Sequence, residues 1–146
     1  MSKHRRRRSS DARHVRQYHH VLNSRAWLAL TAPARVVYIE IFRLYDGANN
    51  GRLALSVRTA AERCRIAKDT AARAFKELEE LRFIECMQKG AFSYKVRHAT
   101  EWRITELRCD VTGRLPDKNF MRWGRDKQKP VPNDALTVPK QAQKAA

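Results

Sequence analysis

The stretch IAKDTAARAFKELEELRFIE, residues 66–85, decides the fold. Ala71, Ala74, Phe75, Leu78 and Leu81 recur at spacings of three and four, the signature of one buried stripe on a helix. Lys68, Thr70, Arg73 and Lys76 fall on the opposite side, so the first turns present basic and hydroxyl groups together. After Leu81 the period changes to two, with neither Gly nor Pro at the junction.

Upstream, SVRTAAERC starts with Ser56, a good N-cap, and predicts a helix of about two turns. RIAKD then turns the chain into the quoted helix. RLAL before it reads as a short strand with Leu53 and Leu55 on one face, and DGANNGR as a turn in which Asn50-Gly51 tolerates positive φ. TAPARVVYIEIFRLYDG predicts the first main helix, with Thr31 as N-cap, Pro33 in its first turn and Gly47 just past its end. Its apolar set of Val36, Val37, Tyr38, Ile39, Ile41, Phe42, Leu44 and Tyr45 is wider than one stripe. Such a helix is expected to be covered on two sides, by the core and by either the preceding Trp27 helix or a second copy of the chain. Ser24 is expected to cap that Trp27 helix.

Downstream, FIECMQ and FSYKVRH flank KGA and predict a β-hairpin. In the second strand Phe92, Tyr94 and Val96 alternate with Ser93, Lys95 and Arg97. TEWRIT continues or re-enters that strand with Trp102 and Ile104 inward. CDVTGRLPDKNFMRW is irregular and is expected to dock through Phe120, Met121 and Trp123.

The 146-residue chain has 31 Lys+Arg against 15 Asp+Glu, a net charge of +16. That balance favours a polyanionic partner, nucleic acid first among them. No apolar run approaches the ~20 residues that span a bilayer, and MSKHRRRRSSDARHVRQYHH has no apolar core for a secretory signal. A cytoplasmic, nucleoid-associated protein is expected. Residues 1–20 are read as a disordered basic arm, 21–123 as one domain, and 124–146 as a disordered tail rich in Lys, Pro and Gln. Cys64, Cys86 and Cys109 form no CxxC pair, so reduced, buried thiols are expected rather than disulfides or zinc. His14, His19 and His20 lack nearby carboxylates or Cys, and no metal or other cofactor is expected.

A helix-turn-helix over residues 56–82 followed by a β-hairpin over 83 to 104 is a winged helix-turn-helix: mainly α with a small β-hairpin wing, in class α+β. IAKDTAARAFKELEELRFI resembles the recognition-helix signature of GntR-type and related bacterial winged-helix regulators. That pattern has Ser before the helix, Thr three residues later, and Gly before the first wing strand. Here Ala67, Thr70 and Arg82 hold those places. A capping Ser is worth about 1 kcal/mol, and a side chain at Arg82 makes positive φ costly there. SRAWLAL, YDGANNGRLALS, TAARAFKELEEL and ATEWRIT further resemble a group of bacterial helix-turn-helix proteins, over residues 24–105. The resemblance implies a DNA-binding fold. GntR-type regulators carry a separate ligand-binding domain, and no segment of that size remains here.

A helix-turn-helix inserts its second helix into the major groove, N-terminal residues nearest the bases. Lys68, Asp69, Thr70, Ala72, Arg73 and Lys76 would then form the reading face. Arg73 is best placed for a bidentate contact to guanine. Ser56, Arg58 and Thr59 start the preceding helix, whose amides suit a phosphate. Lys89, Lys95 and Arg97 of the wing, with the arm Lys3, Arg5, Arg6, Arg7 and Arg8, would track the backbone or minor groove. The partner expected is double-stranded DNA, with a homodimer suggested by the wide first helix. A transcription regulator or a plasmid- or phage-type replication-initiation factor would use it so. An RNA-binding or ribosome-associated protein is the alternative. No phosphate-binding glycine loop, carboxylate pair or nucleophile-base pair points to an enzyme.

Overall fold

The computed structural model describes residues 12–92 and 97–124. Its elements run α1 (His19–Leu22), α2 (Arg25–Ala29), α3 (Ala32–Arg43), β1 (Leu53–Ala54), α4 (Val57–Cys64), α5 (Lys68–Glu80), β2 (Ile84–Gln88), β3 (Ala91–Phe92), β4 (Arg97–His98), β5 (Glu101–Ile104) and a closing 3-10 turn at Asn119–Arg122. This is the α+β winged helix-turn-helix architecture: helices packed beside a small antiparallel sheet.

Local chemistry sets the helix starts. Ser24 Oγ accepts the Trp27 amide at 3.1 Å, and Ser56 Oγ accepts the Thr59 amide at 3.0 Å. Thr31 departs from its expected role, for its own side chain caps nothing. Its amide and hydroxyl both donate to the Glu77 carboxylate of α5, each at 2.7 Å. The cap of α3 thus comes from another helix, and it places a negative charge at a helix N-terminus, where the dipole favours it.

α3 packs against α4 and α5. Val37, Tyr38, Ile41 and Phe42 are buried, Ile39 is half-buried, and Val36 stays exposed. The second apolar side of α3 is covered within the chain. Tyr38 meets Trp27 of α2 edge-on at 5.8 Å between ring centroids and Phe83 at 5.4 Å. Phe83 also stacks on Phe120 at 4.9 Å, which docks the segment after β5. Met121 packs beside it, whereas Trp123 keeps 36% of its surface exposed and does not dock as expected.

The sheet corrects the hairpin reading. β5 lies between β1 and β2, so the partner of FIECMQ is EWRI and not FSYKVRH. Ile84 faces Ile104 and Cys86 faces Trp102, with a register shift between Cys86 and Gln88. FSYKVRH is not one strand either: Phe92 pairs with Arg97 in a separate tip hairpin, β3–β4. Alternation shows which residues share a face but not which strand they meet. Gly90 permits the crossing, since a Cβ there would sit 2.9 Å from the His98 carbonyl oxygen and the Thr100 nitrogen. Ser93, Tyr94, Lys95 and Val96 lie outside the described residues.

α1 starts at His19, and Val15 packs against the core. Arg5 to Arg8 lie outside the described residues, as does the tail from 125 onward. All three cysteines are free thiols; Cys109 is buried, but Cys64 and Cys86 are only half-buried. Burial nevertheless pushes both of those thiols up, with Glu40 acting on Cys64 and Glu79 on Cys86 in the same direction.

Left-handed arginines bracket the recognition segment. Arg65 closes α4 at φ 54° and Arg82 follows α5 at φ 65°. Arg82 was expected to resist this conformation, yet the hydrogen bonds around it demand it. Its amide donates to the Glu79 carbonyl, and the Phe83 amide reaches back to the Leu78 carbonyl at 2.9 Å. That is a Schellman closure, completed by burial of Phe83 and Leu78. Thr105 Oγ1 also donates to the Arg82 carbonyl at 2.7 Å. Arg82→Gly should therefore raise stability by about 0.5–1 kcal/mol, since the backbone cost falls more than unfolded-chain entropy rises. Thermal unfolding checks this, and a lowered midpoint would contradict it.

Arg103 is fully buried, although its place between Trp102 and Ile104 puts it on the opposite sheet face. The segment after β5 covers that face. Arg103 donates to Glu85 at 2.8 Å and to the Leu115 carbonyl at 2.9 Å, and Arg114 joins Glu85 at 2.9 Å. Burial alone would raise the Glu85 carboxyl, but hydrogen bonds from Arg114 and Arg103 outweigh it and hold the group below its ordinary range. A depressed folded pKa means that this stabilisation is complete above the unfolded carboxylate pKa. It is lost as pH falls through the lower folded value. Glu85→Gln should flatten the acid limb of a stability-versus-pH curve; an unchanged limb would contradict the linkage.

Candidate nucleic-acid interface

α4 and α5 meet across Arg65, Ile66 and Ala67, with the Ile66 amide bonded to the Ala61 carbonyl at 3.0 Å. Ala71, Ala74, Phe75, Leu78 and Leu81 are buried. Phe75 stacks on Trp102 at 4.8 Å, and Trp102 Nε1 donates to the Leu55 carbonyl at 3.0 Å. The buried half of α5 is thereby locked to β5 and to the entry of α4. Its other half is free. Lys68, Asp69, Ala72, Arg73 and Lys76 are exposed and Thr70 is half-exposed, so these residues share one face as expected.

Ala67 precedes α5 without a capping side chain, and the first amides of the helix receive no acceptor from it. An uncapped, exposed N-terminus beside Lys68 is electrostatically suited to a phosphate. Arg73 Nε reaches only the Asp69 carbonyl of its own helix, at 3.4 Å. Lys76 lies 3.7 Å from Glu80 and Arg58 3.1 Å from Glu62, both pairs well exposed. Exposed pairs of this kind contribute about 0–1 kcal/mol and yield readily to a phosphate.

Asp69 sits in the first turn of α5 beside Lys68, whereas the glutamates of the helix lie further along it. Glu77 is held by Thr31, while Glu79 and Glu80 lie in the last turn. Ser56, Arg58 and Thr59 stand together at the start of α4, the two hydroxyls 2.9 Å apart. Lys89 is exposed just before the tip hairpin and Arg97 is exposed within it. Lys95 and Arg5 to Arg8 cannot be placed with them, since they fall outside the described residues.

Arg65 was missed. It is exposed in the turn immediately before α5. The available signal was its position in CRIAKD, a basic residue in the shortest link between two helices. Arg63 is a weaker candidate, because it is bound to Glu40 at 2.7 Å across α3 and α4. Among the described residues no three His, Cys, Asp or Glu side chains gather where a metal ion could be held, and no helix is long and apolar enough to cross a membrane.

Residues 28–84 match a helix-turn-helix domain family, from Leu28 in α2 to the first residue of β2. The match supports a helix-turn-helix DNA-binding domain, a coarser grouping than the GntR type. Comparisons with curated proteins and with solved structures give no match.

Proposed function

We propose that this chain binds double-stranded DNA sequence-specifically, with α5 in the major groove and the sheet tip beside it. In this reading it is a small transcription regulator or a plasmid- or phage-type replication-initiation factor, a binding protein and not an enzyme. The observation that carries the proposal is the division of α5. Its stripe is buried against β5 and α3, while Lys68 and Arg73 stay exposed in its N-terminal turns, away from Glu79 and Glu80, and Lys76, 3.7 Å from Glu80, marks the end of the basic face. A helix lying flat on a phosphate backbone would set those glutamates against it; a helix entering by its N-terminal end would not.

Selection of bound duplexes from a random pool tests the reading. An enriched motif supports it. Copurifying RNA with no preference among duplexes would overturn it in favour of an RNA-binding protein. Within an enriched site, Arg73→Ala should weaken specific binding by about 1–3 kcal/mol and relax the preference at one base pair. Equal losses on specific and random duplexes would make Arg73 a phosphate contact instead.

A further inference from the structure

A second concavity lies away from the reading face. It has a volume of about 390 Å³ and opens between the segment before α1 and the end of α3. Arg13, Arg16 and Tyr18 line it from one side; Phe42, Tyr45 and Asp46 line it from the other. An adjoining recess shares Arg13 and adds Arg43. No residue of α4, α5 or the sheet contributes to either. The size falls within the range of small-ligand sites, about 300–1,000 Å³.

The lining has a specific chemistry. Tyr45 and Phe42 offer aromatic surface, and both are anchored against the core. Burial, with Asp110 and Asp46 nearby, pushes the Tyr45 phenol up, so this ring stays neutral near pH 7. Arg13 and Arg16 supply two cations at the exposed rim. Asp46 supplies one acceptor, oriented by its bond from the Ala48 amide at 2.8 Å. A flat ring, an anion and an amine donor within one molecule would satisfy all three kinds of group. Aromatic stacking combined with arginine contacts is the common mode of holding an unpaired nucleotide.

We infer that this groove binds a nucleotide. The base lies against Tyr45, its exocyclic amine faces Asp46, and the phosphate sits between Arg13 and Arg16. Asp46 repels a phosphate at its own end and so sets the direction of the ligand. It also favours adenine, cytosine or guanine over thymine, which lacks an exocyclic amine. The ligand is either a free nucleoside monophosphate or an unpaired nucleotide within a strand. This inference goes beyond duplex recognition and uses none of its residues.

Calorimetric titration of the full chain with AMP, with dTMP and with a short unpaired deoxyadenosine oligomer tests it. AMP binding that exceeds dTMP binding at least about fivefold identifies a free-nucleotide site. Binding of the oligomer alone identifies a strand site. In either case Arg16→Glu should reduce affinity by about tenfold or more, while Arg52→Glu, the same charge change outside the groove, should not. Tyr45→Ala tests the stacking surface, and Arg16→Glu covers the case in which that variant fails to fold. Arg73→Ala should leave nucleotide binding intact even where it impairs duplex binding, which separates this site from the duplex reading. No heat with any of the three ligands, or equal losses in Arg16→Glu and Arg52→Glu, would overturn the inference.

Discussion

Asn50→Ala should destabilise the domain by about 3–5 kcal/mol, more than loss of a surface turn residue could. Asn50 is fully buried. Its Oδ1 accepts the Ile104 amide at 2.7 Å, and its Nδ2 donates to the carbonyls of Ile104 and Arg108, each at 2.9 Å. Its backbone exchanges two further bonds with Asp110, each 2.8 Å. One side chain therefore ties the loop before β1 to the chain leaving β5. Alanine would strand a buried amide and buried carbonyls, and each unsatisfied group costs roughly 1–3 kcal/mol. Asn50→Asp is the informative companion. It keeps the acceptor for Ile104 but aims a carboxylate at the carbonyls, so it should be no better than alanine. Urea unfolding measures both. A loss below about 1 kcal/mol for Asn50→Ala would mean that the hub is not needed.

Deleting residues 1–10 should lower affinity for every duplex while leaving the selected sequence unchanged. The deletion removes Lys3 and the run Arg5 to Arg8, a block of charge with no apolar residue to bury. Each phosphate contact adds about 0.9 to the slope of log affinity against log salt on duplex DNA. A loss of two to four contacts, roughly, flattens that slope by about 2–4 and weakens binding roughly 30- to 1,000-fold near ~0.15 M salt. Sequence preference should survive, because Lys68 to Lys76 are untouched; changes should be limited to positions flanking the core site, where minor-groove width is sensed. Titrations of both proteins at several salt concentrations decide it. Equal slopes would leave the folded domain as the sole duplex-binding element.

The candidate reading face was legible because a helix repeats every 3.6 residues, so the buried stripe from Ala71 to Leu81 defines the exposed face by subtraction. Ser24 and Ser56 were legible as caps for a similar reason, since each bonds an amide three residues away. Arg65 was harder to find because it belongs to no period. The nucleotide groove left no signal at all: Arg13 and Tyr45 are far apart in the chain, and they share one cavity only when the segment before α1 lies against α3.

The sequence by itself determined the order of elements from α2 to β2, the helix starts at Ser24 and Ser56, and the side of α5 that faces outward. These are short-range properties, governed by neighbours within about one helical turn or one strand. Only the tertiary structure decided that β2 pairs with β5, that Glu77 caps α3, and that Asn50 and Arg103 are buried. Each depends on a partner distant in the chain, such as Ile104, Thr31 or Glu85. A polar side chain is buried when such a partner satisfies it, and the pattern of its own neighbours does not contain that partner.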